Sequence, residues 1–142
     1  MKKAPLVFFN IACIIGILVG LGHFIVPYAF SWYSYIPDAP KEIIQSINYV
    51  NFCFSFLLTG LSLLLILMQR RLFGDLRELK AFYVFFVLVW VSRVVIQLLW
   101  PWPSPLQRWL VMGFVSELVL AAIPLFPMLE LPRKSYKYQG GR

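Results

Sequence analysis

The chain has 142 residues, of which 61% are hydrophobic and only 13% are charged. Soluble domains contain about 45–50% apolar residues, so a soluble core of this size could not bury so much apolar surface, and the lipid bilayer is the expected solvent. The formal net charge of +7 would suggest nucleic-acid binding in a soluble protein, but here the basic residues follow the pattern of a topology signal, and no nucleic acid is predicted as a partner.

Four apolar stretches are long enough to cross a bilayer as helices. They cover approximately residues 6–30, 42–68, 76–100 and 105–130. Short loops join them, which predicts an all-α integral membrane protein whose four transmembrane helices form an antiparallel bundle. Residues 1–132 would form this single membrane domain, and residues 133–142 would form a basic tail.

The first stretch resembles a signal peptide at its start, because two lysines precede an apolar run. The run from Leu6 to Phe30 is too long for a signal peptide, so we interpret it as the first spanning helix. Gly16 and Gly20 form a GxxxG motif, which allows another helix to approach closely. Pro27 has no N–H for the carbonyl of His23, which predicts a loosened backbone beside the imidazole.

The second stretch carries polar residues at helical spacings of three and four. They are Asn48, Asn51, Ser55, Thr59 and Ser62. This stripe should face protein, because hydrocarbon offers its groups no partners. The three hydroxyls are predicted to form bonds between helices. Asn48 and Asn51 lie in the outer half of the helix and are candidate site residues.

Arg93 and Glu117 are the ionisable residues well inside the third and fourth stretches. A charge at such a depth costs at least about 2.5–3.5 kcal/mol on insertion scales, so it is rarely left without a partner. A short turn joins these two helices and makes them neighbours. We therefore predict an ion pair between Arg93 and Glu117, with Gln97 on the same helical face as Arg93.

Depth brings the candidate site residues to one region. At about 1.5 Å per helical residue, the outer and central parts of the bundle would contain a polar set. Its members are His23, Asn48, Asn51, Arg93, Gln97 and Glu117. This pattern predicts a polar pocket that opens outward. Three interpretations remain open: a structural ion pair with hydrogen-bonded neighbours, a pocket for a lipid headgroup, quinone or other small molecule, and a proton pathway.

The basic residues predict the orientation. Ten Lys and Arg residues lie at the N-terminus, in the middle loop and in the tail, whereas the two other loops carry only Lys41 and Arg108. Cytoplasmic segments are enriched in Lys and Arg. Both termini are therefore predicted to be cytoplasmic in a multi-pass protein of the bacterial plasma membrane, the inner membrane.

The motifs do not favour catalysis. The chain has one His and two Cys at different depths, which predicts no metal site, and it has no phosphate-binding or hydrolase motif. The expected function is binding of a small hydrophobic or amphipathic ligand, or a role as a subunit of a membrane complex. No cofactor is predicted, and a quinone or a lipid is the ligand class left open. The alternative is an oligomeric proton-coupled transporter that uses Glu117 and His23. The expected partners are the lipid bilayer and either a second copy of the chain or another membrane protein.

Overall fold

A computed structural model describes residues 3–70, 76–101 and 105–130 of the chain. The long helices are α1 (Lys3–His23), α3 (Lys41–Gln69), α4 (Leu76–Leu99) and α5 (Leu106–Glu130). A short helix α2 (Val26–Ala29) and a 3-10 helix (Trp32–Tyr35) connect α1 to α3. The four long helices are each long and apolar enough to cross a membrane, which confirms the prediction of an all-helical fold with four such helices. The predicted basic tail, residues 133–142, lies outside the described residues.

The first apolar stretch is not one continuous helix over residues 6–30. It ends at His23 and resumes at Val26, with Pro27 in the first turn of α2. Between the two helices the amide of Ile25 bonds to the carbonyl of Gly22 at 3.0 Å, three residues back. Pro27 has no amide hydrogen for the carbonyl of His23, and that carbonyl accepts a hydrogen bond from the Asn51 side chain of α3 instead. The break follows from the proline, as the sequence indicates.

The GxxxG motif of α1 faces α3. A side-chain carbon added at Gly20 would lie 2.9 Å from the backbone nitrogen of Thr59 and 3.1 Å from the carbonyl oxygen of Ser55. One added at Gly16 would meet the hydroxyl of Ser62 and the ring of Phe86. Both glycines therefore lie where α1 approaches its neighbours closely, and at Gly20 the nearby atoms include backbone.

The two serine hydroxyl groups of the polar stripe donate within α3 and not to another helix. Ser55 donates to the carbonyl of Asn51 at 2.6 Å, and Ser62 donates to that of Leu58 at 2.7 Å. Both acceptors lie one turn back in the same helix, a common alternative for a helical serine. The predicted interhelical bonds of these serines are therefore wrong, although the stripe does face protein, since Ser55 and Ser62 are fully buried.

An aromatic core joins α1, α4 and α5. The rings of Phe9 and Tyr83 stack with centroids 4.6 Å apart, and the hydroxyl of Tyr83 donates to the carbonyl of Ala121 at 2.9 Å. Trp90 packs against Phe86 and is almost fully buried. Buried aromatic side chains contribute large contact areas, so this cluster holds the three helices together.

The helices α3 and α4 contact each other less than do the pairs α1–α3, α1–α5 and α4–α5. A groove of about 520 Å³ separates them, and we call it the α3–α4 groove. Its lining is entirely apolar apart from backbone. The lining residues are Phe54, Phe56, Leu57, Leu58, Gly60, Leu61, Leu64, Phe82, Phe85 and Val89. Phe56, Leu57 and Phe85 are largely exposed, so the groove opens onto the outside of the bundle.

Candidate functional site

Arg93 lies at the centre of a cluster to which four helices contribute. Its guanidinium carbon is 5.2 Å from the centre of the Phe54 ring and 4.7 Å from that of Phe114. These distances are within the range of cation–π attraction. The Nη2 atom of Arg93 lies 3.5 Å from Nε2 of His23, at the outer limit of a hydrogen bond. We call Arg93, His23, Phe54 and Phe114 the Arg93 cluster.

The break after α1 places His23 in this cluster. Its ring meets that of Phe54 edge-on, with centroids 5.0 Å apart. Since a guanidinium only donates, Arg93 bonds to Nε2 when that nitrogen carries no hydrogen. A neutral His23 then has its proton on Nδ1, so the contact selects one tautomer of the imidazole.

Asn51 provides a hydrogen-bond donor for a backbone carbonyl at the break after α1. Its Nδ2 donates to the carbonyl of His23 at 2.8 Å, which is the carbonyl that Pro27 leaves without an amide partner. A polar side chain of α3 therefore stabilises the end of α1. Asn51 is predicted from the sequence as a site residue, and here it has a structural role that positions His23.

Asn48 and Asn51 also border a second cavity, between the ends of α1 and α3. The α1–α3 cleft encloses about 470 Å³. It is lined by Phe24, Pro27, Tyr28, Asn48, Tyr49, Asn51 and Phe52. The hydroxyl of Tyr33 donates to Oδ1 of Asn48, which ties the 3-10 helix to α3.

Gln97 joins α4 to α5. Its Nε2 donates to Oε1 of Gln107, and Nε2 of Gln107 donates to the backbone carbonyl of Gln97 at 3.0 Å. This reciprocal pair fastens the last turn of α4 to the first turn of α5. It borders neither the α3–α4 groove nor the α1–α3 cleft.

Glu117 does not pair with Arg93. Its side chain is only 3% exposed, and across residues 3–70, 76–101 and 105–130 neither of its carboxylate oxygens has a hydrogen-bond partner. The predicted ion pair is therefore wrong. Glu117 lies within electrostatic range of Cys13 and Tyr83, so its side chain is directed into the aromatic core.

Arg93 and Glu117 also lie at different depths. Arg93 lies six residues before the end of α4, whereas Glu117 lies eleven residues after the start of α5. At about 1.5 Å per residue, Glu117 is roughly 7 Å deeper, measured from the joined ends of the two helices. The two side chains also face different neighbours, since Arg93 contacts Phe54 and Phe114.

The six predicted site residues thus occupy different places rather than one pocket. The structure brings His23, Asn51 and Arg93 together and places Asn48 in the neighbouring cleft. Gln97 and Glu117 stand apart, the first in the α4–α5 contact and the second in the core.

The pattern of polar residues in the sequence does not include two members of the Arg93 cluster, Phe54 and Phe114. Phe54 lies three residues after Asn51, and Phe114 three residues before Glu117. Residues three apart share a helical face, so the spacing of each ring from a polar residue places the two on one face of their helix. Gly60, which lines the α3–α4 groove, has no polar residue at this spacing.

The groups around Arg93 are a cation, hydrogen-bond donors and apolar surface. In the part of the chain that the structure describes, no three His, Cys, Asp or Glu side chains are grouped as metal ligands. Cys13 is buried and Cys53 is exposed, and both are free thiols. The Arg93 cluster offers a fixed positive charge and hydrogen-bond donors, and the adjoining groove offers apolar surface.

No protein-family model, no curated protein and no solved structure matches the chain.

Proposed function

We propose that this chain is a multi-pass protein of the bacterial inner membrane that binds an amphipathic, lipid- or quinone-like ligand in the α3–α4 groove. The observation that carries the proposal is the position of Phe54. Its ring lines the apolar groove and also lies beneath the guanidinium of Arg93. An apolar groove close to a cation suits a ligand with an apolar tail and a polar head.

The size of the groove supports a ligand rather than a packing defect. Ligand-binding cavities commonly measure about 300–1,000 Å³, and the groove encloses about 520 Å³. Arg93 gains no stabilisation from Glu117, so a structural ion pair no longer accounts for a charge at this depth. An apolar side chain would pack there at lower cost, which favours a functional role for Arg93.

Ligand binding has better support than proton-coupled transport. A transport pathway through Glu117 and His23 requires a connection between them, but Glu117 is enclosed in the core. His23 contacts Arg93 instead, which favours a role in holding the guanidinium.

We further propose an antiparallel bundle with both termini in the cytoplasm. Contacts between α1 and α3 support the antiparallel arrangement, because Gly16 faces Ser62 and the later Gly20 faces the earlier Ser55. The ten-to-two distribution of basic residues supports the orientation. In this orientation the Arg93 cluster lies in the outer half of the membrane.

Reporter fusions test the orientation. Green fluorescent protein fused after Arg142 should fluoresce, and alkaline phosphatase at the same position should be inactive, because the C-terminus is proposed to be cytoplasmic. Fusions after Pro37, in the connection between α2 and α3, should give the reverse pattern. An active phosphatase after Arg142 would refute the proposed orientation.

A glycine substitution tests whether the groove binds a ligand. A side-chain carbon at Gly60 meets no atom within 4 Å, so Gly60→Leu should fold and fill part of the groove. Each buried methylene contributes about 0.8 kcal/mol, so displacing two or more should weaken binding of a dioleoyl phospholipid at least about tenfold. Native mass spectrometry from mild detergent measures the bound lipid.

Gly113→Leu is the matched control, because Gly113 also has no atom within 4 Å of an added carbon and does not line the groove. This variant should bind the lipid as the wild type does. Equal binding by the Gly60→Leu protein, at unchanged stability, would exclude the groove as the binding site.

A further inference from the structure

We infer that the occupant of the α3–α4 groove is an outer-leaflet phospholipid with a net negative headgroup, whose phosphate is bound by Arg93. This inference rests on the proposed function and specifies its ligand. The apolar lining accounts for the acyl chain, and Arg93, which does not itself line the groove but packs on its lining residue Phe54, selects the headgroup.

Arg93 has donors left for a ligand. A guanidinium has five N–H groups, and within the described ranges of the chain its hydrogen-bond contact is the single one to His23. The rings of Phe54 and Phe114 hold the guanidinium by its faces and leave its edges for in-plane hydrogen bonds. Arginine commonly binds phosphate through two parallel bonds of this kind.

The sign of the charge excludes a cationic headgroup. The carboxylate that would have balanced Arg93, that of Glu117, is enclosed in the core and faces other residues. An anion beside Arg93 would therefore supply the missing countercharge. A neutral quinone could accept a hydrogen bond from Arg93 but would leave its charge uncompensated.

The position of Arg93 matches a lipid that enters from the outer leaflet. Arg93 lies about one turn beyond Val89, the lining residue of α4 nearest to it in sequence. The end of α4, Leu99, lies six residues further on, about 9 Å along the helix axis. The rings of Phe54 and Phe114 hold the guanidinium at this depth, so the bound headgroup would lie below the end of α4, beside Arg93. The acyl chain would then extend from Phe54 along the groove toward Leu64.

Charge also argues against a second copy of the chain as the occupant. Two copies related by a twofold axis along the membrane normal would place their Arg93 side chains at the same depth. The groove lining carries no acidic side chain to pair with either of them. A phospholipid headgroup meets this requirement, and a copy of the chain does not.

Native mass spectrometry on the full chain tests the headgroup. We expect the wild type to bind dioleoyl phosphatidylglycerol about tenfold more tightly than dioleoyl phosphatidylcholine, since the acyl chains and the phosphate are the same and only phosphatidylcholine carries a cationic choline, which cancels the charge of the phosphate and is repelled by Arg93. Arg93→Gln should abolish this preference, and Arg93→Lys should keep part of it. Arg108→Gln is the control, because it removes an exposed charge near the same end of the bundle and should keep the preference.

The outcomes separate the inference from the proposed function. Equal affinity of the wild type for the two lipids, which requires no variant, would overturn the anionic headgroup. If Gly60→Leu still weakened both lipids equally, the groove would remain a lipid site without headgroup selection. If Gly60→Leu changed neither lipid but converted a dimer to a monomer, the groove would be an interface between copies, and both proposals would fail.

Discussion

Replacing Glu117 with leucine should raise the stability of the protein. The carboxylate is buried, and among the residues that the structure describes its two oxygens accept no hydrogen bond. Burying a polar group without a partner costs about 1–3 kcal/mol in protein mutational data. Glu117→Leu removes this cost and fills similar space with apolar atoms, so the free energy of unfolding should increase by about that amount. The midpoint of unfolding by a denaturing detergent measures the change.

Two further variants show whether burial causes the effect. Glu117→Gln keeps a polar group of the same shape in the core and should recover much less stability, because the amide is also left without partners. Glu130→Leu removes an exposed acidic residue from the last turn of α5 and should change stability by less than about 0.5 kcal/mol.

A double-mutant cycle with Arg93→Met tests whether Glu117 and Arg93 interact. Residues that share no contact have nearly additive effects, so the coupling between Arg93→Met and Glu117→Leu should be below about 0.5 kcal/mol. A strong loss of stability in Glu117→Leu, rescued by Arg93→Met, would show that the ion pair forms after all. That result would also remove the argument that Arg93 requires an anion from outside the chain.

The four long helices are predictable because the bilayer imposes their length and composition. A spanning helix needs about 20 mostly apolar residues, and a sequence shows such runs directly. The break at His23 is also visible, since a proline without an amide hydrogen must free a carbonyl four residues earlier. The sequence does not show which side chain donates a hydrogen bond to that carbonyl. Asn51 lies 28 residues away in the chain, and only the packing of α1 on α3 brings it there.

The Arg93–Glu117 prediction fails because spacing along a helix says little about the neighbouring helix. Periodicity gives the face on which a residue lies, but the rotation and axial shift of the partner helix depend on all the contacts between them. Arg93 packs between two rings and Glu117 lies near Cys13 and Tyr83, an arrangement that spacing along either helix does not show. The α3–α4 groove is unpredictable for the same reason, since it arises from the spacing between two helices.

Gly20→Ala should destabilise the bundle most among single-carbon additions at the glycines that the structure describes. The added carbon would lie 2.9 Å from the backbone nitrogen of Thr59, in addition to touching its hydroxyl, and a backbone atom cannot rotate away. Relief therefore requires α1 to move away from α3, and overpacking of this kind typically costs about 1–3 kcal/mol. Gly16→Ala should cost less, because its nearest contacts are the side chains of Ser62 and Phe86, which can adjust.

Gly113→Ala provides the control, since its added carbon meets no atom within 4 Å. Alanine has the higher helix propensity, so this change should be neutral or stabilise the protein by up to about 1 kcal/mol. The expected order of stability is therefore Gly113→Ala, then Gly16→Ala, then Gly20→Ala, measured by the same detergent unfolding. If Gly20→Ala unfolded at the midpoint of Gly113→Ala, α1 and α3 would not be in close contact, and the Asn51 bond that holds His23 beside Arg93 would lose its structural basis.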